Sequence, residues 1–151
     1  VVVGSGSRLE KLRAGAAGPA IKFVGECDGT TALAWIKSSD LMVVSSHYES
    51  FGLAILESLG LGVPVIASDT GGIPEIIRDG IDGLLVKPAA PDAMRAAMIR
   101  LLENERLRVE LAQNGLSRFA QFSPERMADA LTVLYLENTA VFQSAARKEP
   151  I

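Results

Sequence analysis

The chain has 151 residues, near the size of one domain, with 48% hydrophobic and 22% charged residues. That supply can build a core, and it excludes disorder as a description of the whole chain. Fifteen basic against eighteen acidic residues leave a net charge of −3. No basic stripe for nucleic acid or an anionic membrane is expected from that balance.

Val1-Val2-Val3 is a short β-branched run, which predicts a buried strand ended by Gly4-Ser5-Gly6. It has neither the length nor the basic flank of a signal peptide. A chain that enters a strand without preamble reads as part of something larger. Leu9, Leu12 and Ala16 then recur at helical spacing, and residues 21–24 form the next strand, closed by Gly25. The lone cysteine, Cys27, excludes an internal disulfide and fits a reducing, cytoplasmic compartment. Thr30 and Thr31 can cap a helix through Ala34, Trp35 and Ser38. Residues 41–44 are a continuous apolar run, as expected for a strand buried on both faces.

Residues 45–52 are polar and end on a glycine, and Leu53, Leu56 and Leu59 behind them mark a helix. Gly60, Gly62 and Pro64 close it. Residues 65–67 make another strand, Gly71-Gly72 a turn, residues 73–77 a short helix, and residues 84–86 a last strand. Only helices follow. Pro91 and Asp92 open one whose apolar positions are Met94, Met98, Leu101 and Leu102, and another covers residues 105–119. Ser123-Pro124-Glu125 reads as cap, first helical position and favourable charge for a terminal helix with Met127, Leu131, Leu134 and Tyr135 on one face.

Strands separated by helices imply parallel pairing with right-handed crossovers. The expected fold is α/β: a Rossmann-like, doubly wound parallel sheet with C-terminal helices. Ligands of such sheets sit beyond the carboxyl ends of the strands, which directs attention to residues 4–7, 25–29, 45–53 and 68–74.

Gly4-Ser5-Gly6 is either a strand-to-helix turn or a loop lining a nucleotide site. Leu9 stands where a dinucleotide fingerprint needs its third glycine, so a dehydrogenase reading fails. Glu49-Ser50-Phe51-Gly52-Leu53 with Glu57 is more informative. A helix opening near Gly52 turns free N–H groups and its dipole toward the strand ends, where they favour a phosphate. Glu49 and Glu57 would lie roughly 8–12 Å apart along that axis. Carboxylates accept from hydroxyls and are repelled by a diphosphate, so the pair suits the sugar and ribose ends of a nucleoside diphosphate sugar. The bland reading makes Glu49 a solvated loop charge and Glu57 a helix-surface residue. Ser68-Asp69-Thr70-Gly71-Gly72-Ile73-Pro74-Glu75 is a structural connection or a second ligand contact. His47 has no companion at metal-ligand spacing and no G-x-S-x-G serine to serve, so it reads as a loop residue. Cys27 reads as a small apolar filler.

The run Ser46-His47-Tyr48-Glu49-Ser50-Phe51-Gly52-Leu53, then Glu57-Ser58, Gly62-Val63-Pro64-Val65, Gly71-Gly72-Ile73-Pro74-Glu75 and Asp79-Gly80, resembles the family 4 retaining glycosyltransferases with their two-domain GT-B fold. The resemblance covers the donor-binding second half, residues 1–140, with residues 141–151 as a tail. It implies a hexosyltransferase-type enzyme that moves a sugar from a UDP- or GDP-linked donor to a glycan, lipid or small-molecule hydroxyl. It implies no metal or other cofactor.

By the same resemblance, Glu49 is the catalytic-side carboxylate facing the donor sugar and Glu57 binds the ribose. Backbone N–H groups at Phe51, Gly52 and Leu53 serve sugar and diphosphate. Gly4 and Gly6 form the family's glycine turn, and the loop carrying Glu26 holds the base. Ser45 replaces the usual proline and Ser58 the frequent alanine. The family's phosphate-binding arginine and lysine, and its N-terminal acceptor domain, lie before the equivalent of Val1. This chain alone is therefore expected to lack activity, while the complete enzyme would be cytoplasmic or peripheral to the membrane. A non-catalytic nucleotide-sugar module or truncated remnant is the alternative, and a GT-B sugar-nucleotide epimerase ranks below it.

Overall fold

A computed structural model describes residues 1–16 and 20–146, with side chains placed through residue 136. Strands and helices alternate in the order β1 (Val2–Val3), α1 (Leu9–Gly15), β2 (Phe23–Gly25), α2 (Gly29–Lys37), β3 (Met42–Val44), α3 (Leu53–Gly60), β4 (Val65–Ser68), α4 (Ile73–Ile76) and β5 (Leu84–Val86). Then come α5 (Pro91–Glu103), α6 (Glu105–Phe119), a 3-10 turn (Ala120–Phe122) and α7 (Pro124–Ala146). All strand pairs are parallel, so the α/β reading holds. No helix of the described residues is long and apolar enough to cross a membrane.

The hydrogen-bonded ladder is divided in two. β1 pairs with β2, and β3, β4 and β5 form a separate sheet in that order. Chain order runs β1-β2 in one ladder and β3-β4-β5 in the other, with a helix between successive parallel strands. Of these strands only β4 has a hydrogen-bonded neighbour on both sides. Two expectations of burial are corrected. Val1 is 64% exposed and Val3 42%, and β3 is half-buried along its length. An edge position does not explain this, since β5 is also an edge strand and is buried under Leu101 and Leu111, whereas no residue of β1 belongs to either core cluster.

Every buried hydrophobic side chain among the described residues lies between Ile55 and Leu111. Alternation along β4 sends Val65 and Ala67 to a cluster with Ile55, Leu56 and Leu59 of α3 and Ile73 and Ile76 of α4. Ile66 joins Leu84, Val86, Leu101 and Leu111 in a second cluster. α6 is also seated on α3. An added Cβ at Gly115 would lie 2.9 Å from Leu59 Cδ2, and one at Gly60 would lie 3.1 Å from the Phe119 ring.

Local signals set most boundaries. Ser123 Oγ accepts from the Arg126 N–H at 3.3 Å and caps α7. Asn104 does the same for α6 through the Leu107 N–H. α2 is capped two residues before Thr30, because Asp28 is its cap and accepts from both Thr31 N and Thr31 Oγ1. β2 is Phe23–Gly25, shifted from residues 21–24. α7 continues to Ala146, so residue 140 falls inside a helix; the last five residues of the expected tail, 147–151, lie outside the described residues. Met127, Leu131, Leu134 and Tyr135 are exposed along α7.

Candidate functional site

The carboxyl ends of the strands carry the candidate residues. Gly52 precedes α3 with φ +92 and ψ 52, a left-handed conformation that favours glycine. Its carbonyl accepts from Ile55 N and Leu56 N, which leaves the first N–H groups of α3 pointing beyond β3. Gly52 itself is buried, with Glu49 Cγ only 3.6 Å from where its Cβ would stand. The Glu49 side chain therefore begins beside the amino terminus of α3. Glu57 is half-buried on the same helix, whereas Phe51 and Leu53 are 49% and 67% exposed.

The Gly71-Gly72 segment has a definite structural role. Gly72 N–H donates to the Glu49 carbonyl at 2.9 Å, and Thr70 Oγ1 donates to the His47 carbonyl at 3.1 Å. A Cβ on Gly71 would lie 2.0 Å from the Glu49 carbonyl oxygen, and one on Gly72 would lie 2.4 Å from that of Ser50. The two glycines exist because the Glu49 loop lies directly on their backbone. Of the two readings of this segment, the structure supplies the structural connection.

A second group forms at the ends of β1 and β2. Gly4 and Gly6 have φ +122 and +157. Gly4 N–H donates to the Gly25 carbonyl at 2.7 Å, and Ser5 Oγ donates to Glu26 Oε2 at 3.1 Å. The glycine turn and the Glu26 loop thus form one unit, with open space at both glycine Cβ positions. Beside it, hydrogen bonds from Thr31 hold the Asp28 carboxyl below its ordinary range. Among the described residues, no hydrogen bond or ion pair joins this unit to the Glu49–Glu57 group.

Two cations escaped the sequence reading. Lys87 and Arg95 line an open cavity of about 280 Å³ together with Ser45, His47, Ser68 and Met94. The cavity lies at the carboxyl ends of β3, β4 and β5, next to the start of α5. The strand-end rule applied to β5 as well would have pointed to Lys87. Arg95 had no local signal, because only the packing of α5 brings it there.

With this geometry in place, residues 1–118 match the family described as glycosyl transferases group 1. The chain belongs to that family. It is 34% identical over 132 residues to a D-inositol 3-phosphate glycosyltransferase of Nocardioides, covering 87% of this chain and 29% of that protein. It therefore spans less than a third of that relative's length. Sucrose-phosphate synthase of Thermosynechococcus elongatus superposes with a TM-score of 0.78 at 33% identity, over 89% of this chain and 34% of the other. Anabaena HepE, solved in complex with UDP-glucose, superposes with a TM-score of 0.71 at 25% identity, over 87% and 40%. The resemblance read from the motifs and the fold class are both borne out.

Proposed function

We propose that this chain is the donor-binding half of a retaining glycosyltransferase that uses a nucleotide sugar and no metal. The observation that supports this most is the placement of Glu49 against Gly52 at the opening of α3, with Glu57 farther along the same helix. A diphosphate on the first N–H groups of α3 gains their hydrogen bonds and the helix dipole. The sugar then meets Glu49, and the ribose diol donates to Glu57. The base reaches toward Glu26 and the Gly4–Gly6 turn, where no side chain fills the space above the glycines.

In the transfer step, the bond from the anomeric carbon to the diphosphate oxygen breaks and the acceptor oxygen bonds to that carbon from the same face. The departing diphosphate takes the acceptor's proton. Glu49 orients the sugar and offsets the positive charge that develops at its anomeric carbon. A nucleotide sugar is the partner that HepE's UDP-glucose complex suggests by likeness. The chain spans less than a third of its curated relative, so on this reading acceptor positioning falls to segments outside it, and the chain alone is expected to bind nucleotide without turnover.

Glu57→Gln and Glu49→Gln test the assignment by calorimetry against free UDP, GDP and their sugars. Glu57→Gln weakens the free diphosphate by about 1–3 kcal/mol, the range for a hydrogen bond to a charged group. Glu49→Gln leaves free diphosphate nearly unchanged and weakens the sugar nucleotide. Equal effects of the two changes on free diphosphate would overturn the assignment.

A further inference from the structure

We infer that Arg118 is a positioning residue for the Glu49 loop, acting through α4; this deepens the donor-site reading above and rests on it. Arg118 lies in the last turn of α6 and is half-buried. Its Nε donates to the Ile76 carbonyl at 2.8 Å and its Nη2 to the Glu75 carbonyl at 2.5 Å. The third nitrogen, Nη1, donates to Gln121 Oε1 at 2.5 Å, and the guanidinium lies 5.0 Å from the centre of the Phe122 ring. Every nitrogen of the group is engaged, and the guanidinium lies over the Phe122 ring.

What it grips is a helix of four residues, Ile73–Ile76. A single turn cannot satisfy its own last carbonyls, and a cation there also complements the helix dipole. Residue 118 thus fixes the carboxyl end of α4. The amino end is Gly72, whose N–H holds the Glu49 carbonyl and whose backbone lies against Ser50. α4 is a short strut, clamped by Arg118 at one end and pressed on the Glu49 loop at the other.

α3, which carries Glu57, is held to α6 by different contacts. Gly115 faces Leu59, Gly60 faces Phe119 and Gly62 faces Leu116. Those are apolar and do not involve the guanidinium. α3 also shares a core with Ile73 and Ile76 of α4, again without the guanidinium, so releasing Arg118 should loosen Glu49 more than Glu57. The sugar end of the site and the ribose end separate in their response, which a general loss of stability would not produce.

The test compares Arg118→Ala and Arg118→Lys with the unsubstituted chain by two readouts under conditions where each is folded. The first is hydrogen exchange at the Gly72 amide, which needs no ligand. The second is the ratio of UDP-glucose to UDP affinity. Arg118→Ala should speed Gly72 exchange while α3 amides stay protected, and should weaken UDP-glucose roughly fivefold and UDP less. Arg118→Lys keeps the charge but loses the fork, so it falls between the two and decides the matter if the alanine variant does not fold. Unchanged Gly72 exchange, or equal weakening of UDP and UDP-glucose, overturns the inference. If the unsubstituted chain binds neither nucleotide, the donor-site reading fails, and Gly72 exchange alone still decides whether Arg118 holds the loop.

Discussion

Three glycine-to-alanine changes separate steric clash against the loop that carries Glu49, at Gly71 and Gly72, from backbone strain alone, at Gly80. Gly80 has φ +72 and open space around its missing Cβ, so alanine there meets strain alone. A left-handed conformation costs an L-residue about 1–2 kcal/mol. Gly72 has φ −81, which any residue adopts, yet its Cβ would lie 2.4 Å from the Ser50 carbonyl oxygen. The obstacle is backbone, so the loop itself must retreat by at least about half an ångström. Such overpacking costs about 1–3 kcal/mol, and loss of the Gly72–Glu49 hydrogen bond adds about 1 kcal/mol. Gly71 combines both faults, with φ +55 and a 2.0 Å approach to the Glu49 carbonyl. Its replacement should cost about 2–5 kcal/mol. Urea unfolding at constant slope measures these losses, and UDP-glucose titration reads their effect on the site. Gly80→Ala should retain affinity. Gly72→Ala should lose roughly tenfold or more, because a misplaced binding group forfeits its geometry even when the fold survives. A Gly72→Ala chain with the stability and affinity of the unsubstituted protein would refute the account of the loop.

Asp82 is fully buried and accepts from Arg78 N and Arg78 Nε, both at 2.6 Å. The Arg78 side chain is half-exposed and rehydrates when its partner goes, so Asp82→Ala should cost about 2–3 kcal/mol rather than the full penalty of a buried orphan charge; a thermal or urea loss below about 0.5 kcal/mol would contradict this. At Asp28, hydrogen bonds from Thr31 lower the folded pKa below the ordinary 3.8. Its contribution to α2 is therefore present above 3.8 and lost as pH falls through the lowered folded value. The Thr31 amide shift, followed by NMR, should report a midpoint below 3.8, and Asp28→Asn should keep the cap while removing that transition; a midpoint above 3.8 is the contrary result.

Much of this molecule is decided by local chemistry and is legible along the chain. Ser123 before Pro124 caps α7, Gly52 ends the Glu49 loop in a left-handed turn, and the apolar spacing of residues 53–59 forms α3. These follow from torsional freedom and hydrogen bonds within a few residues. The fold class follows from the alternation of apolar runs and helical spacing along the chain. The tertiary structure decided the rest. Gly71-Gly72 could serve a ligand or a neighbour on sequence grounds, and only the approach of Glu49 and Ser50 from another strand end assigns it to the neighbour. Lys87 and Arg95 meet Ser45 and His47 through the packing of α5 beside β5, at separations in sequence that no local pattern spans. Arg118 reads as an ordinary basic residue in a last helical turn, yet it reaches carbonyls 42 and 43 positions away. The exposure of Val1 and Val3 is likewise a tertiary outcome, because a β-branched run is buried only where other elements pack on its faces, as α5 and α6 do on β5.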